Sequence, residues 1–127
     1  MKWIKWELPL FIWTAILLFL TWWPKIEIPD IGLDYKDKVA HVFAFGLLGF
    51  LAARARSKYE INHLQNAVKV TLFYCSLFAI FDEAMQGVIP GRVADVWDGL
   101  ANIIGVFAAV LFFRTVWYPW KNRRYFK

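Results

Sequence analysis

Four apolar stretches set the frame for this chain. Each is near the length a helix needs to cross a bilayer, about 20 residues with a range of about 17–25. They cover residues 8–23, 39–55, about 68–88 and 96–117. Pro24 closes the first and Pro119 the last. The third reaches spanning length only if Asp82 and Glu83 lie within it or at its end, and the fourth includes Asp98. Composition agrees with this frame. Hydrophobic residues make up 60% of the 127 and aromatics 20%, whereas soluble domains carry about 45–50% apolar residues. The fold class is therefore all-α, a polytopic integral membrane protein with four transmembrane helices, and residues 1–127 read as one domain.

The remaining charges read as topology signals. With the N-terminus inside, the inner side carries Lys2, Lys5, Arg54, Arg56, Lys58, Lys69, Arg114, Lys121, Arg123, Arg124 and Lys127. The outer side carries only Lys25, Lys36, Lys38 and Arg92. An excess of Lys and Arg marks cytoplasmic loops, so both termini are expected on the cytoplasmic side of the membrane. The formal net charge of +5 does not form a soluble basic face, so no nucleic-acid partner is expected. Lys2 and Lys5 precede an apolar run as in a signal peptide, but the run ends in "TWWPK" without a small-residue cleavage site. It reads as a retained helix. Cys75, the single cysteine, sits in an apolar run and reads as a packing residue. His63 reads as a solvated loop histidine, and residues 121–127 as a basic tail on anionic lipid.

Within this apolar chain, polar groups gather near the outer ends of three helices. Asp37 and His41 are four apart at the start of the second helix and share a face, with Asp34 as its cap. Gly46 and Gly49 further along admit close approach of a neighbour. Asp82 and Glu83 end the third helix, and Gln86 lies within one turn of both. Adjacent residues point about 100° apart, which assigns Glu83 to the shared site and Asp82 to the turn or to Arg92. On the fourth helix Asp95, Asp98, Asn102, Gly105 and Ala109 form one stripe, with Asp95 as an alternative cap. The "IPGR" turn between them expects a positive φ at its glycine.

Ionisable groups within a bilayer cost about 2.5–3.5 kcal/mol each on insertion scales, so this gathering implies mutual pairing. Four uses remain open. The cluster can be a clamp, with Arg92 bridging carboxylates, His41 bonding Asp37 or Asp98, and Asn102 joining helices. It can be a pocket for a membrane lipid, with Arg92 and Lys38 taking an anionic head group. His41, Glu83 and Asp98 suit Zn or Mn chemically, although no HExxH or paired-His spacing is present, and no metal or other cofactor is expected. Catalysis would rest on a carboxylate or His41 as general base, without a serine or cysteine nucleophile beside it.

The stretches "DKVAHVFAF", "DEAMQGVIPGR" and "DGLANIIGV" together resemble the VanZ-like family of small bacterial membrane proteins. The matching positions are Asp37, Lys38, His41, Phe45, Asp82, Glu83, Gln86, Pro90, Gly91, Arg92, Asp98, Asn102 and Gly105, and the resemblance is strongest over about residues 37–109. The first helix matches only in kind. The resemblance implies an envelope membrane protein linked to resistance to the glycopeptide teicoplanin, with no settled mechanism and so no catalytic roles to carry over. The leading expectation is a non-enzymatic protein binding a lipid-linked cell-wall precursor or a lipoglycopeptide through Asp37, Lys38, His41, Asp82, Glu83, Gln86, Arg92, Asp98 and Asn102. The alternatives are a membrane enzyme, metal-assisted or not, acting on a cell-wall lipid intermediate, and a structural partner subunit. The sequence names no protein partner.

Overall fold

The computed structural model describes residues 4–24, 34–58 and 64–123. These form α1 (Ile4–Trp22), α2 (Asp34–Ser57), α3 (Leu64–Gln86) and α4 (Val96–Phe112), followed by a π-helical turn, Phe113–Trp117, and a short α5, Tyr118–Lys121. Among the described residues there is no strand. Four helical spans, Ile4–Trp22, Tyr35–Ser57, Leu64–Gln86 and Val96–Lys121, are long and apolar enough to cross a membrane, with mean hydropathy of 1.4 to 1.9. At 1.5 Å per residue, the 19 residues of α1 extend about 28 Å, close to the hydrocarbon thickness of a bilayer. The chain is thus the four-helix, all-α membrane protein its hydropathy implied. His63, most of the loop after Pro24 and the end of the basic tail lie outside the described residues.

The element ends differ from expectation in instructive ways. α1 begins at Ile4, so Pro9 falls inside it. Proline has no N–H to donate to the carbonyl four residues back, here Lys5, and Arg54 Nη2 takes that oxygen instead at 3.2 Å. α3, by contrast, ends at Gln86 as expected, with Asp82 and Glu83 inside its last two turns. Pro119 does not end the last helix. The preceding turn widens, with Phe113 N–H shared between the Ala109 and Val110 carbonyls and Tyr118 N–H reaching back five residues to Phe113. This π turn makes room for the proline ring, which in regular α geometry would meet the Thr115 carbonyl, and the helix continues to Lys121.

The packing follows the small residues. α2 and α4 form the most extensive helix pair, and they cross backbone to backbone. A Cβ on Gly49 would lie 3.1 Å from Val106 Cα, and one on Gly46 3.3 Å from the Gly105 carbonyl oxygen. A Cβ on Gly105 would lie 2.2 Å from the Val42 carbonyl oxygen, so no residue with a side chain fits there as the helices stand. The core beneath the crossing is Leu17, Phe45, Leu48, Val68, Cys75, Ala79, Val106, Val110 and Phe113. Cys75 is a buried free thiol. Large apolar side chains such as Phe11, Phe19, Phe43, Phe73, Phe107 and Leu111 are left facing outward, as lipid-facing surfaces do.

α1 attaches to the other helices by specific polar contacts. Trp13 Nε1 donates to the Ala44 carbonyl of α2 at 2.9 Å. At the end of the bundle that holds the α3–α4 connection, Thr21 and Trp22 meet α3. That connection is a tight turn in which Arg92 N–H donates to the Ile89 carbonyl at 3.1 Å and Gly91 takes φ 75°. Pro90 and Gly91 occupy the two central positions that a type II turn assigns to them.

Candidate functional site

The polar residues of α2, α3 and α4 meet where the chain pattern places them, at the end of the bundle beside the 89–92 turn. They divide into two groups with different work.

The first group is turned inward and is satisfied internally. Asp82 is fully buried and accepts hydrogen bonds from Thr21 Oγ1 at 2.8 Å, Trp22 Nε1 at 2.9 Å and Gln86 Nε2 at 3.2 Å. It faces α1 and makes no bond to Arg92, contrary to expectation, because the helix rotation that buries Ala79 and Gln86 also turns Asp82 away from the turn. Glu83 points the other way. Its Oε1 accepts from the Asp95 backbone N–H at 2.7 Å, one of the donors that a helix N-terminus leaves free nearby, and Gln86 Nε2 approaches Oε2 at 3.5 Å. Gln86 therefore bridges the two carboxylates, and Glu83 stays behind the shared site rather than in it.

Arg92 is also committed, but not to a carboxylate. Its Nη2 donates to the Leu20 carbonyl at 2.7 Å and its Nε to the Trp23 carbonyl at 3.1 Å. These are orphan acceptors at the C-terminus of α1, the negative end of the helix dipole. The guanidinium thus caps α1 across 69 to 72 residues of chain.

The second group surrounds a cleft of about 600 Å³, lined among others by Asp37, His41, Gln86, Arg92, Asp95 and Asp98. Lys38 Nζ reaches Asp98 Oδ1 at 2.9 Å and Asp95 Oδ2 at 3.2 Å, joining α2 to the start of α4. Asp95 is the N-cap of α4 and accepts from Trp97 N–H at 2.8 Å. That backbone bond, and then the Lys38 ammonium, hold the Asp95 carboxyl below the usual carboxylate range. His41 Nδ1 lies 2.9 Å from Asn102 Oδ1. Its Nε2 lies 3.8 Å from Asp98 Oδ2 and 3.9 Å from Asp37 Oδ2. One ligand-capable atom from each of Asp37, His41 and Asp98 lies within 4.8 Å of the others. Asn102 is fully buried, and its Nδ2 has no hydrogen-bond partner among the described residues.

All nine residues singled out from sequence therefore lie at this end of the bundle, but not in one constellation. Asp37, Lys38, His41, Asp98 and Asn102 meet around the cleft. Asp82 and Glu83 hold helix ends together behind it, and Gln86 and Arg92 do so from its wall. Lys38 is paired with two carboxylates, whereas Arg92 lines the cleft and spends two of its five donors on main-chain carbonyls. The sequence pattern assigned neither Thr21 nor Trp22 a role at this site, yet both are partners of Asp82. The only signal for them was a hydroxyl and an indole within the last turn of the first helix.

A second concavity lies along α2 and α4. An apolar groove of about 730 Å³ runs along α2 from Ala40 to Phe50 and along α4 from Gly105 to Phe112, with Trp13 at its side. It begins within one turn of His41.

A family model described as VanZ/LLP1 matches residues 4–118. The match includes the first helix, which resembled that family only in kind. No curated protein and no solved structure matches the chain.

Proposed function

The chain belongs to the VanZ/LLP1 family, and from that premise we propose that it binds a lipid-linked or lipidated amphiphile at the outer leaflet of the bacterial plasma membrane and so contributes to teicoplanin-type glycopeptide resistance. One observation carries this reading: α2 and α4 line both the polar cleft beside Asp37, His41 and Asp98 and an apolar groove whose lining on α2 starts at Ala40, next to His41 in the chain. A polar head in the cleft leaves an acyl or prenyl chain aligned with the groove. The groove's lining on α2 extends from Ala40 to Phe50, some 15 Å at the helical rise, enough for roughly a dozen methylenes.

The cleft itself is rich in acceptors. Asp37, Asp95, Asp98 and His41 line it, while Lys38 and Arg92 are held by internal partners. With the termini inside, as the Lys and Arg distribution argues, this end faces the outer leaflet, where a lipidated glycopeptide acts.

The test uses expression in a susceptible bacterium, with teicoplanin susceptibility as the readout and membrane-fraction abundance as the control for insertion. Val93 lines the cleft and is highly exposed, so Val93→Trp fills the cleft without touching the core. This variant is expected to insert normally and to lose protection. Wild-type protection from an inserted Val93→Trp chain would remove the cleft from the function.

A further inference from the structure

We propose that Asp37, His41 and Asp98 are the protein ligands of a divalent transition-metal site, suited to Zn²⁺ and more weakly to Mn²⁺, whose remaining coordination positions open into the cleft. The three donors come from two helices: Asp37 and His41 from consecutive turns of α2, and Asp98 from the first turn of α4. Their ligand-capable atoms lie within 4.8 Å of one another. Zinc bonds of 2.0–2.2 Å place tetrahedral donors roughly 3.4 Å apart. Two separations, 3.8 Å and 3.9 Å, thus need to close by only about half an ångström. The adjustment is available, since the Asp37 side chain is 54% exposed and free to swing.

Two further features favour a metal over a simple acidic surface. The first is the orientation of His41. Asn102 Oδ1, in a side chain with no exposed surface, lies 2.9 Å from His41 Nδ1. An oxygen there takes a proton from Nδ1 and leaves the Nε2 lone pair facing the two carboxylates. The same amide leaves its own buried Nδ2 without a partner, a costly arrangement for a buried donor. Metal-bound histidines are held in this way by an acceptor on the second ring nitrogen. The second feature is charge. Asp37 has no Lys or Arg partner among the described residues, and Lys38 occupies only Oδ1 of Asp98, leaving Oδ2 toward His41. One imidazole with two carboxylates favours Zn²⁺ or Mn²⁺ over the all-oxygen shells of Ca²⁺ and Mg²⁺.

The family of donors departs from the set expected at first. Glu83 is excluded by its bond to the Asp95 N–H, and Asp37 stands in its place. Three protein ligands with open positions resemble a reactive or ligand-binding metal site rather than a closed structural one. A bound dication would add positive charge beside Asp37 and Asp98, where Lys38 is already paired with Asp95 and Asp98, and a phosphate or carboxylate on a head group would complete its shell. That last step rests on the binding function proposed above; the metal site does not.

The full-length protein, purified in detergent and stripped with chelator, is titrated with Zn²⁺ by calorimetry and with Co²⁺ by visible absorption. One ion per chain is expected. Asp98→Asn and His41→Ala should weaken binding about 100-fold, and Asn102→Leu, with all three ligands retained, about 10-fold or more. Asp37→Asn, at an exposed position, should weaken it without affecting folding. Absence of stoichiometric binding overturns the proposal, as does wild-type affinity in folded Asp37→Asn. Val93→Trp separates the two readings: it should retain the metal whether or not protection is lost.

Discussion

Gly105→Ala should separate α2 from α4 and dismantle the site with them. The added methyl would sit 2.2 Å from the Val42 carbonyl oxygen, 2.9 Å from its carbon and 3.0 Å from Gly46 N. All three are backbone atoms, so no side chain can rotate away. Carbon and oxygen in contact need about 3.3 Å, so the helices must part by about 1 Å. Inserting a methylene into a packed interior costs about 1–3 kcal/mol. The intrinsic helical preference for Ala over Gly returns only about 0.5–1 kcal/mol. The net is a loss of about 1–2 kcal/mol. A parting of that size also stretches the 2.9 Å contact between His41 and Asn102, one turn away, beyond hydrogen-bond range. Thermal unfolding in detergent, followed by fluorescence-detected size exclusion, measures the stability effect across a glycine series. Gly105→Ala should fall furthest, then Gly49→Ala with its nearest contact at 3.1 Å, then Gly46→Ala at 3.3 Å. Gly99→Ala meets only Glu83 Cγ at 3.6 Å and should be neutral or stabilising. A Gly105→Ala chain as stable as wild type, or more stable than Gly46→Ala, would falsify the close crossing.

Three other outcomes follow from the helix ends. Arg92→Ala leaves the Leu20 and Trp23 carbonyls without their cap and should cost about 1.5–3 kcal/mol, typical of hydrogen bonds to a charged group; faster proteolysis near the end of α1 is the measurement. Asp82→Ala takes the acceptor from Trp22 Nε1 and Gln86 Nε2, whereas Thr21 Oγ1 keeps the Leu17 carbonyl at 3.0 Å; Asp82→Asn retains an acceptor oxygen, and thermal unfolding should rank it above Asp82→Ala, by about 1 kcal/mol or more. The Asp95 carboxyl is held down in the folded chain by Trp97 N–H and Lys38. Its contribution is therefore complete above the unfolded value near pH 4 and is lost as the pH falls through that value to the lower folded one. The stability gap between wild type and Asp95→Asn, read by thermal unfolding at successive pH values, should narrow below about pH 4.

The helices were legible because hydropathy in a membrane chain has few competing explanations. Spacing of three and four residues also resolved the Asp98–Asn102–Gly105 stripe and the glycines that receive it. Spacing within one helix, however, says nothing about which neighbour each face meets. Asp82 and Glu83 could be told apart as diverging, but not that Asp82 would face Thr21 and Trp22 of α1. Arg92 was expected among carboxylates because charge pairing is the simplest rule; its actual partners are main-chain oxygens, which no side-chain pattern displays. Pro119 was read as a stop because the rule for proline assumes four-residue hydrogen bonding. The π turn before it changes that spacing, and nothing in "FFRTVWYPW" announces it.

α1 is held near its two ends by guanidinium groups from elsewhere in the chain, Arg54 on the Lys5 carbonyl and Arg92 on those of Leu20 and Trp23. A carbonyl is present whatever side chain its residue carries. These two attachments therefore place almost no demand on the sequence of the helix they secure. Beyond Trp6, Trp13, Leu17, Thr21 and Trp22, which use their side chains, α1 can exchange one lipid-facing residue for another and keep its seat. The first helix is thus the part of the bundle most open to drift, and the natural place to adapt the protein to a bilayer of different thickness without disturbing the cleft.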